Sequence, residues 1–391
     1  MAPPNCQMAD GEKINEWIVV GKLGEGGFGA VYKVRHETTN EVWAAKVESI
    51  KPGDRPGPIQ MEMMVLQSLQ VNNAPNFCRV KDTGKIESRQ FLYLVMTMVG
   101  TSLHDIRKSY PAQRFSMSTA LMAGAQCLTA IKGLHSVQFL HRDIKPGNYS
   151  VGNAELNDQR TIYMLDFGMA RKYTNAEGRH RRPRRGVPFK GTIRYAPLAC
   201  HREEEYSRKD DVESWFYQQI EITKAALPWK GLSDRIEIGK WKENIRKEPV
   251  AKNALLKGCP SEFGDILDQI FRLNYFDEPD YDNINSLMIA AHRRLGYCQQ
   301  DQFDWEKPGY RGPSVGQEPL DDNKMTIEDS EANSEDQEEK TGELAKSRSW
   351  VRPWRRLQRT SHKHRTTRQL ANRHLTDSGP KSAKKHKSKR G

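Results

Sequence analysis

At 391 residues, with 36% hydrophobic and 29% charged side chains, the chain has room for a core larger than one ~100–200-residue domain and for polar extensions beyond it. The net charge of +12 is weak support for nucleic-acid binding, because Lys346 to Arg390 carries sixteen Lys and Arg against Asp377 alone, more than the whole surplus. The longest strongly apolar run, around Phe91 to Val99, is about half the ~20 residues a membrane span needs, so no span is expected.

Residues 1–12 read as an N-terminal extension. The opening MAPPNCQMADGEK has neither a basic n-region nor an apolar stretch, and Cys6, Cys78, Cys127, Cys200, Cys259 and Cys298 form no C-x-x-C pair. A reduced, intracellular protein is expected, cytoplasmic with nuclear entry as an option. Ile18 to Val20 then leads into Gly24-Glu25-Gly26-Gly27-Phe28-Gly29, after which Ala30 to Arg35 alternates apolar and polar residues like a half-buried strand. G-x-G-x-x-G also opens a helix in dinucleotide-binding folds, with an acid about 20 residues on, and Glu48 would fit that acid. The β-branched and aromatic residues directly after Gly29 favour a hairpin whose tip covers phosphates with backbone N–H groups, and a plain hairpin turn stays open.

Glu41 to Lys46 reads as the next strand, ending in an ammonium that can reach phosphates. After the Pro/Gly-rich turn Lys51 to Pro58, Ile59 to Leu69 has the composition of a mostly buried helix with Glu62 as its one acid. An ion pair between Glu62 and Lys46 is favoured over an acid facing water, because a phosphate-binding lysine needs to be held in place. Phe91 to Met96 reads as a buried strand and Thr97 to Gly100 as a hinge, with Met96 beside the base of a nucleotide.

Ser118 to His135 has helical apolar spacing and leads through Phe139-Leu140 into His141-Arg142-Asp143-Ile144-Lys145-Pro146-Gly147-Asn148. One short loop thus holds a proton-accepting carboxylate in Asp143, an ammonium in Lys145 and a magnesium-compatible amide in Asn148, the groups phosphoryl transfer asks for. A polar turn is the bland alternative. The strand Thr161 to Leu165 ends in Asp166-Phe167-Gly168, where Asp166 can bridge magnesium to phosphates and Phe167 can pack under the helix carrying Glu62.

Over residues 13 to 300 the ordered set Gly24/Gly26/Gly29, Lys46, Glu62, Asp143/Lys145/Asn148 and Asp166 resembles a eukaryotic protein kinase. Gly191-Thr192-Ile193-Arg194-Tyr195-Ala196, Asp210 to Ser214, Leu227-Pro228-Trp229 and Pro279-Asp280-Tyr281 are similar to the casein kinase I superfamily, and Leu165 to Asn175 with Asp304-Trp305-Glu306 to tau-tubulin kinases. The resemblance implies an α+β, bilobal kinase domain over 13–306, with a β-rich small lobe over about 13–98 and a mainly helical large lobe over about 99–306. It implies ATP and Mg2+ as cofactors and Ser/Thr hydroxyls of proteins as acceptors. Catalytic roles fall to Asp143, Lys145, Lys46 and Glu62, and metal binding to Asn148 and Asp166. Nucleotide contacts fall to Leu23, Gly24, Glu25, Gly26, Gly27, Phe28, Gly29, Val31, Ala44, Lys46, Met96 and Met98. Asp211 would anchor the catalytic loop from beneath.

Three positions depart from the family pattern. Ala196-Pro197-Leu198 lacks the usual glutamate, so its ion pair in the large lobe is not expected. Phe216 stands where glycine is common, and Gly147 where Asp or Ser is usual. The run Arg179 to Arg185 is either a solvated charge run or a selector of acidic or phosphorylated substrates. An anion site implied by the resemblance takes Arg194 and Lys240, joined here by Arg181 and Arg182.

From 307 to 391 composition turns to Pro, Gly and charge, and disorder is expected. Glu318 to Glu343 is acidic and holds Ser330 and Ser334, the latter with Glu331 three residues before it, which suits autophosphorylation by an acidophilic kinase. The basic end, with Trp350, Trp354 and Lys384 to Arg390, keeps three readings: a solvated tail, a dock for an acidic partner such as microtubules or nucleic acid, or a nuclear localisation signal. A monomer without membrane attachment is expected. The competing functions are a pseudokinase scaffold acting through the tail and a nucleic-acid-binding protein.

Overall fold

In the computed structural model, residues 1–50, 57–308 and 310 are described. They fall within one contact-defined unit, Met1–Glu328, while the second unit, Asp329–Gly391, lies outside them. Outside them too are most of the Lys51 to Pro58 turn and the tail residues discussed above, including Ser330, Ser334, Trp350 and Trp354.

The small lobe is built on β1 (Lys13–Ile14), β2 (Trp17–Glu25), β3 (Gly29–His36), β4 (Val42–Ser49), helix α1 (Pro58–Val71), β5 (Val80–Ile86) and β6 (Phe91–Met96). Its strands form one antiparallel sheet in the order β1-β2-β3-β4-β6-β5. In β3 every second residue, Ala30, Tyr32 and Val34, is buried, as the alternation in its sequence requires. Residues 1–12 are part of this lobe. Ala2 and Cys6 lie in the core with Trp17, Tyr32 and Phe91, Tyr32 Oη donates to Cys6 O at 2.9 Å, and Asn5 Nδ2 donates to Ser49 Oγ at 2.9 Å.

The chain leaves the sheet at Met96 and enters the large lobe through β7 (Val99–Ser102), α2 (Leu103–Ser109), α3 (Met117–Ser136) and β8 (Phe139–Leu140). There follow β9 (Tyr149–Gly152), β10 (Ile162–Met164), β11 (Arg171–Lys172) and helices α4 (Leu198–His201), α5 (Arg208–Lys224), α6 (Arg235–Lys247), α7 (Pro249–Leu256), α8 (Glu262–Arg272) and α9 (Tyr281–Arg294). Two small antiparallel sheets, β10-β9-β7 and β11-β8, flank the catalytic loop between β8 and β9.

Helix α3 is the spine of this lobe, starting where Ser116 Oγ accepts from Thr119 N and running against α5 and α9. Phe216, at the position where glycine is common, is fully buried with its ring 5.9 Å from that of Phe263. Asp304-Trp305-Glu306 ties the end of the lobe back to α3. Asp304 Oδ2 accepts from Ser116 N at 2.6 Å, and Trp305 packs edge-on against Phe115 at 5.6 Å. The bilobal α+β kinase fold is therefore present.

Candidate active site

Strand pairing sets Lys46 opposite Val31 on one side and Leu94 on the other, so β4 aims it at the cleft beneath the glycine hairpin. Its Nζ lies 2.5 Å from Glu62 Oε2, and Glu62 is buried on α1. Burial disfavours the Lys46 ammonium, but Glu62, Asp166 and Glu48 outweigh that and raise its pKa above the usual lysine value. The pair thus keeps a positive charge where phosphates would lie. Gly29 is needed for this geometry: a Cβ there would meet Val47 O at 1.8 Å. Gly24, Gly26 and Gly27 have open space instead, which lets a ligand come close to the hairpin backbone.

Glu48, which would fit the acid of a dinucleotide site, faces α1. Its Oε2 accepts from Ile59 N at 3.0 Å, capping the helix that carries Glu62, and burial raises its pKa to about 7 with Lys46 opposing. Ala44 pairs across the strand with Met96. These two and Met98 are buried, Val31 is half-buried, and Leu23 and Phe28 are exposed at the hairpin. Glu25, at the hairpin edge, pairs with Lys22 and accepts from Gln7 Nε2.

The catalytic loop is held from below by Asp211, at the start of α5. Its carboxylate accepts from His141 N at 2.8 Å, Arg142 N at 2.9 Å and Tyr206 Oη at 3.0 Å, and lies 2.8 Å from His135 Nε2. Burial opposes its charge, yet these donors hold its pKa below the usual carboxylate value. His141 donates from Nε2 to Leu165 O at 3.0 Å, joining the loop to the strand before Asp166.

Above this base sits Asp143. Its Oδ2 lies 2.8 Å from Lys145 Nζ, and its Oδ1 accepts from Thr192 N at 2.9 Å and Thr192 Oγ1 at 2.8 Å. Lys145 Nζ also donates to Thr192 Oγ1 at 3.2 Å. Asn148 Nδ2 donates to Asp143 O at 2.8 Å, which leaves its amide oxygen for another partner. Gly147 lies in a single 3-10 turn, Pro146–Asn148.

Asp166 stands between the lobes. Burial opposes its charge, but Lys46, His141, the Gly168 N–H and Lys145 keep its pKa below the usual value, so it stays a carboxylate. Phe167 is fully buried in the cluster that also holds Ile59, Val65, Leu66 and Leu69 of α1, with Phe77 6.0 Å away. The carboxylate of Asp166 and the amide oxygen of Asn148 are hard oxygen donors of the kind magnesium takes alongside phosphate and water oxygens.

The groups predicted for substrate anions are less concentrated. Arg194 is paired with the buried Glu221 at 3.1 Å, Arg181 Nε donates to Thr174 O at 3.0 Å, and Arg182 and Lys240 are exposed. The α6 lysine that reaches the Gly191 to Ala196 segment is Lys242. It is buried and donates to Ile193 O at 3.0 Å and Ala196 O at 2.6 Å, with its ammonium pushed down to about 7 by burial. The large lobe also regains an ion pair despite Leu198: Glu213 of α5 accepts from Leu198 N at 2.9 Å and pairs with Arg246 at 2.6 Å.

Thr192, Lys242 and the Glu213–Arg246 pair were missed by sequence reasoning. Thr192 had a signal, since it lies inside the Gly191 to Ala196 motif next to the residue that must be glycine. There φ is +95° and a Cβ would meet Arg142 O at 2.7 Å. Glu213 lies inside the Asp210 to Ser214 segment but was given no role there, and Lys242 and Arg246 carried no signal, since their partners lie far back along the chain.

Residues 17–284 match the protein kinase domain family. A Dictyostelium discoideum protein described as a probable serine/threonine-protein kinase is 32% identical over 311 residues, covering 79% of this chain and 60% of that protein. The serine/threonine-protein kinase spe-6 of Caenorhabditis elegans is 33% identical over 296 residues, covering 75% of this chain and 76% of that protein. The chain therefore spans less than two thirds of the Dictyostelium relative's length. Protein kinases use ATP and Mg2+, and the donors around Lys46, Asn148 and Asp166 fit both. With the bilobal fold and the Lys46–Glu62 and Asp143–Lys145–Thr192 arrangements facing one cleft, the match establishes that this chain belongs to the eukaryotic protein kinase family, among its serine/threonine kinases.

Proposed function

We propose that the chain transfers the γ-phosphoryl group of ATP to Ser or Thr hydroxyls of proteins, with Asp143 accepting the hydroxyl proton. The observation that carries this is the Asp143–Lys145–Thr192 cluster. Asp143 is a carboxylate fixed by four donors, and Lys145 beside it can neutralise the phosphoryl group as it moves. Lys46, held by Glu62, positions the nucleotide's phosphates, while the glycine hairpin closes over them and Ala44 and Met96 offer the base an apolar surface. Asp166 and Asn148 would hold magnesium, which would neutralise charge on the phosphates.

The finer reading is a casein kinase I relative closest to tau-tubulin kinases, preferring acidic or already phosphorylated substrates. Its support is the exposed arginine run between Arg179 and Arg185 and the partly exposed Arg194, groups that make charge-assisted bonds to carboxylates and phosphates. A cytoplasmic monomer whose basic tail docks an acidic partner, with nuclear entry as a further property, completes the proposal.

The test is phosphorylation of a casein-like protein by wild type and by Asp143→Asn. Wild type is expected to transfer phosphate, and the variant to lose roughly a thousandfold or more while still binding ATP. Equal inertness of both with ATP binding intact would favour a scaffold. Within an active enzyme, equal rates on acidic, neutral and basic peptides would refute the substrate preference alone.

A further inference from the structure

Residues 1–16 precede the stretch that matches the kinase domain family, yet Ala2 and Cys6 belong to the core of the small lobe. Pro4–Cys6 forms a single 3-10 turn with Cys6 fully buried. Tyr32 of β3 clasps this turn, its Oη donating to Cys6 O at 2.9 Å and accepting from Met8 N at 3.0 Å. Arg89 adds a bond to Gln7 O.

From this turn two side chains reach the glycine hairpin, one to each end of its tip. Gln7 Nε2 donates to Glu25 Oε2 at 3.3 Å and Gln7 Oε1 accepts from Lys22 Nζ at 3.2 Å, so one amide spans the Lys22–Glu25 pair. Glu25 is the last residue of β2, directly before Gly26. At the other end Asn5 Nδ2 donates to Ser49 Oγ at 2.9 Å, and Ser49 N donates to Phe28 O at 3.1 Å. The same Asn5 nitrogen lies 2.9 Å from Arg89 O and 3.1 Å from Gln90 O, which ties it to the turn before β6. The hairpin gains from such a grip. Four of the six residues from Gly24 to Gly29 are glycine, which loses more freedom on ordering than any other residue. Leu23 and Phe28 are exposed, so apolar packing does not hold the tip.

We propose that residues 2–8 form a strap that preorganises the glycine hairpin over the nucleotide's phosphates, with Gln7 and Asn5 as its positioning residues. This rests on the kinase activity proposed above. A loose hairpin has to be ordered by ATP itself, and the lost conformational freedom weakens binding; a strapped hairpin is ordered beforehand. Among the described residues the strap's contacts end within the small lobe and none reaches Asp143, Lys145 or Thr192. Its loss therefore falls on nucleotide affinity and leaves the KM for the protein substrate in place.

The test assays the full chain on a casein-like protein at varied ATP, with the Kd for ATP measured alongside by calorimetry. The double substitution Asn5→Ala with Gln7→Ala raises the KM and the Kd for ATP roughly five- to tenfold, with kcat and the KM for the protein within about twofold of wild type. Should the double variant fail to fold, Gln7→Ala carries the test, since Gln7 is exposed, with a rise of roughly threefold. Asn15→Ala removes a donor 2.7 Å from Tyr93 Oη in the same lobe and controls for lost stability: its thermal midpoint falls and its ATP constants stay in place. A folded strap variant whose ATP constants lie within about 1.5-fold of wild type overturns the proposal, as does a defect confined to kcat or an equal shift in Asn15→Ala. A wild type that binds ATP without transferring phosphate overturns the kinase reading alone, and the strap is then decided by the Kd values. A wild type that does not bind ATP overturns both.

Discussion

Thr192→Val removes one hydroxyl from the centre of the site and changes almost no volume. The hydroxyl donates to Asp143 Oδ1 at 2.8 Å and accepts from Lys145 Nζ at 3.2 Å. The variant therefore leaves Oδ1 with the Thr192 N–H alone, and Lys145 with Asp143 Oδ2 alone. A hydrogen bond to a charged group contributes about 1.5–3 kcal/mol, and each 1.4 kcal/mol of barrier is about tenfold in rate, so kcat should fall by roughly 10- to 150-fold. The KM for ATP should stay within about twofold, because Lys46, Glu62 and Asp166 make no contact with Thr192 and uniform binding is untouched. Steady-state phosphate transfer at varied ATP measures both constants, with thermal unfolding as a check on folding. Thr192→Ser, which restores the hydroxyl, should recover most of kcat. A folded Thr192→Val with kcat near wild type, or with its whole defect in the KM for ATP, would refute the role given to this residue.

Arg246→Met strands the Glu213 carboxylate in the large lobe with only Leu198 N and Tyr217 Oη as donors, and should cost about 3–5 kcal/mol, lowering the thermal midpoint by roughly 10 °C. A drop of only a degree or two would show that the pair carries little. Glu48 titrates in the opposite sense to an ordinary salt-bridged carboxylate. Its folded pKa is raised to about 7, against about 4.3 for a free side chain, so between these values the folded form holds more protons and stability falls as pH rises. Glu48→Gln should flatten the thermal midpoint over that window, and parallel profiles for the two proteins would contradict it. Lys242→Met removes the donor to Ile193 O and Ala196 O and should raise the KM for peptide several-fold while sparing that for ATP. Peptide kinetics unchanged from wild type would detach Lys242 from the substrate groove.

The residues legible in the sequence share a property. Asp143, Lys145 and Asn148 lie within one loop, Lys46 ends a strand, Glu62 is the single acid on an apolar helix, and Asp166 ends another strand. Each is placed by its own local element, so short-range pattern locates it. What escaped was charge whose partner is far along the chain. Arg184 meets Glu205 21 residues on, Arg246 meets Glu213 33 residues back, and Lys242 reaches Ile193 49 residues back. A run such as Arg179 to Arg185 reads as one block of like charge, yet in the fold its members part company: Arg184 is committed to Glu205, while Arg182 is exposed. Periodicity registers which face of an element is apolar and is silent about which lysine on α6 is buried. Lys240 and Lys242 differ by two positions and by the whole difference between solvent and core. The N-terminal extension escaped for a related reason, since Ala2 and Cys6 complete a core whose other members begin at Ile14.

The segment from Thr192 to Leu198 is held by polar anchors in addition to the burial of Ile193, Tyr195 and Ala196 in the core. Thr192 is fixed to Asp143 of the catalytic loop, the carbonyls of Ile193 and Ala196 to Lys242 of α6, Leu198 N to Glu213 of α5, and Tyr195 Oη and Arg194 to Glu221 of the same helix. Apolar packing would tolerate sliding by a fraction of an ångström. A buried charge does not, because an unpaired ion in the interior costs several kcal/mol. Of these anchors only Thr192 ends at Asp143, and Tyr195 N and Ala196 N donate to Thr192 O at 2.9 Å, so a strain at those two residues reaches Asp143 through two hydrogen bonds. Substrate discrimination and catalytic rate are then expected to vary together in variants of α5 and α6, even where the changed side chain touches neither ATP nor peptide.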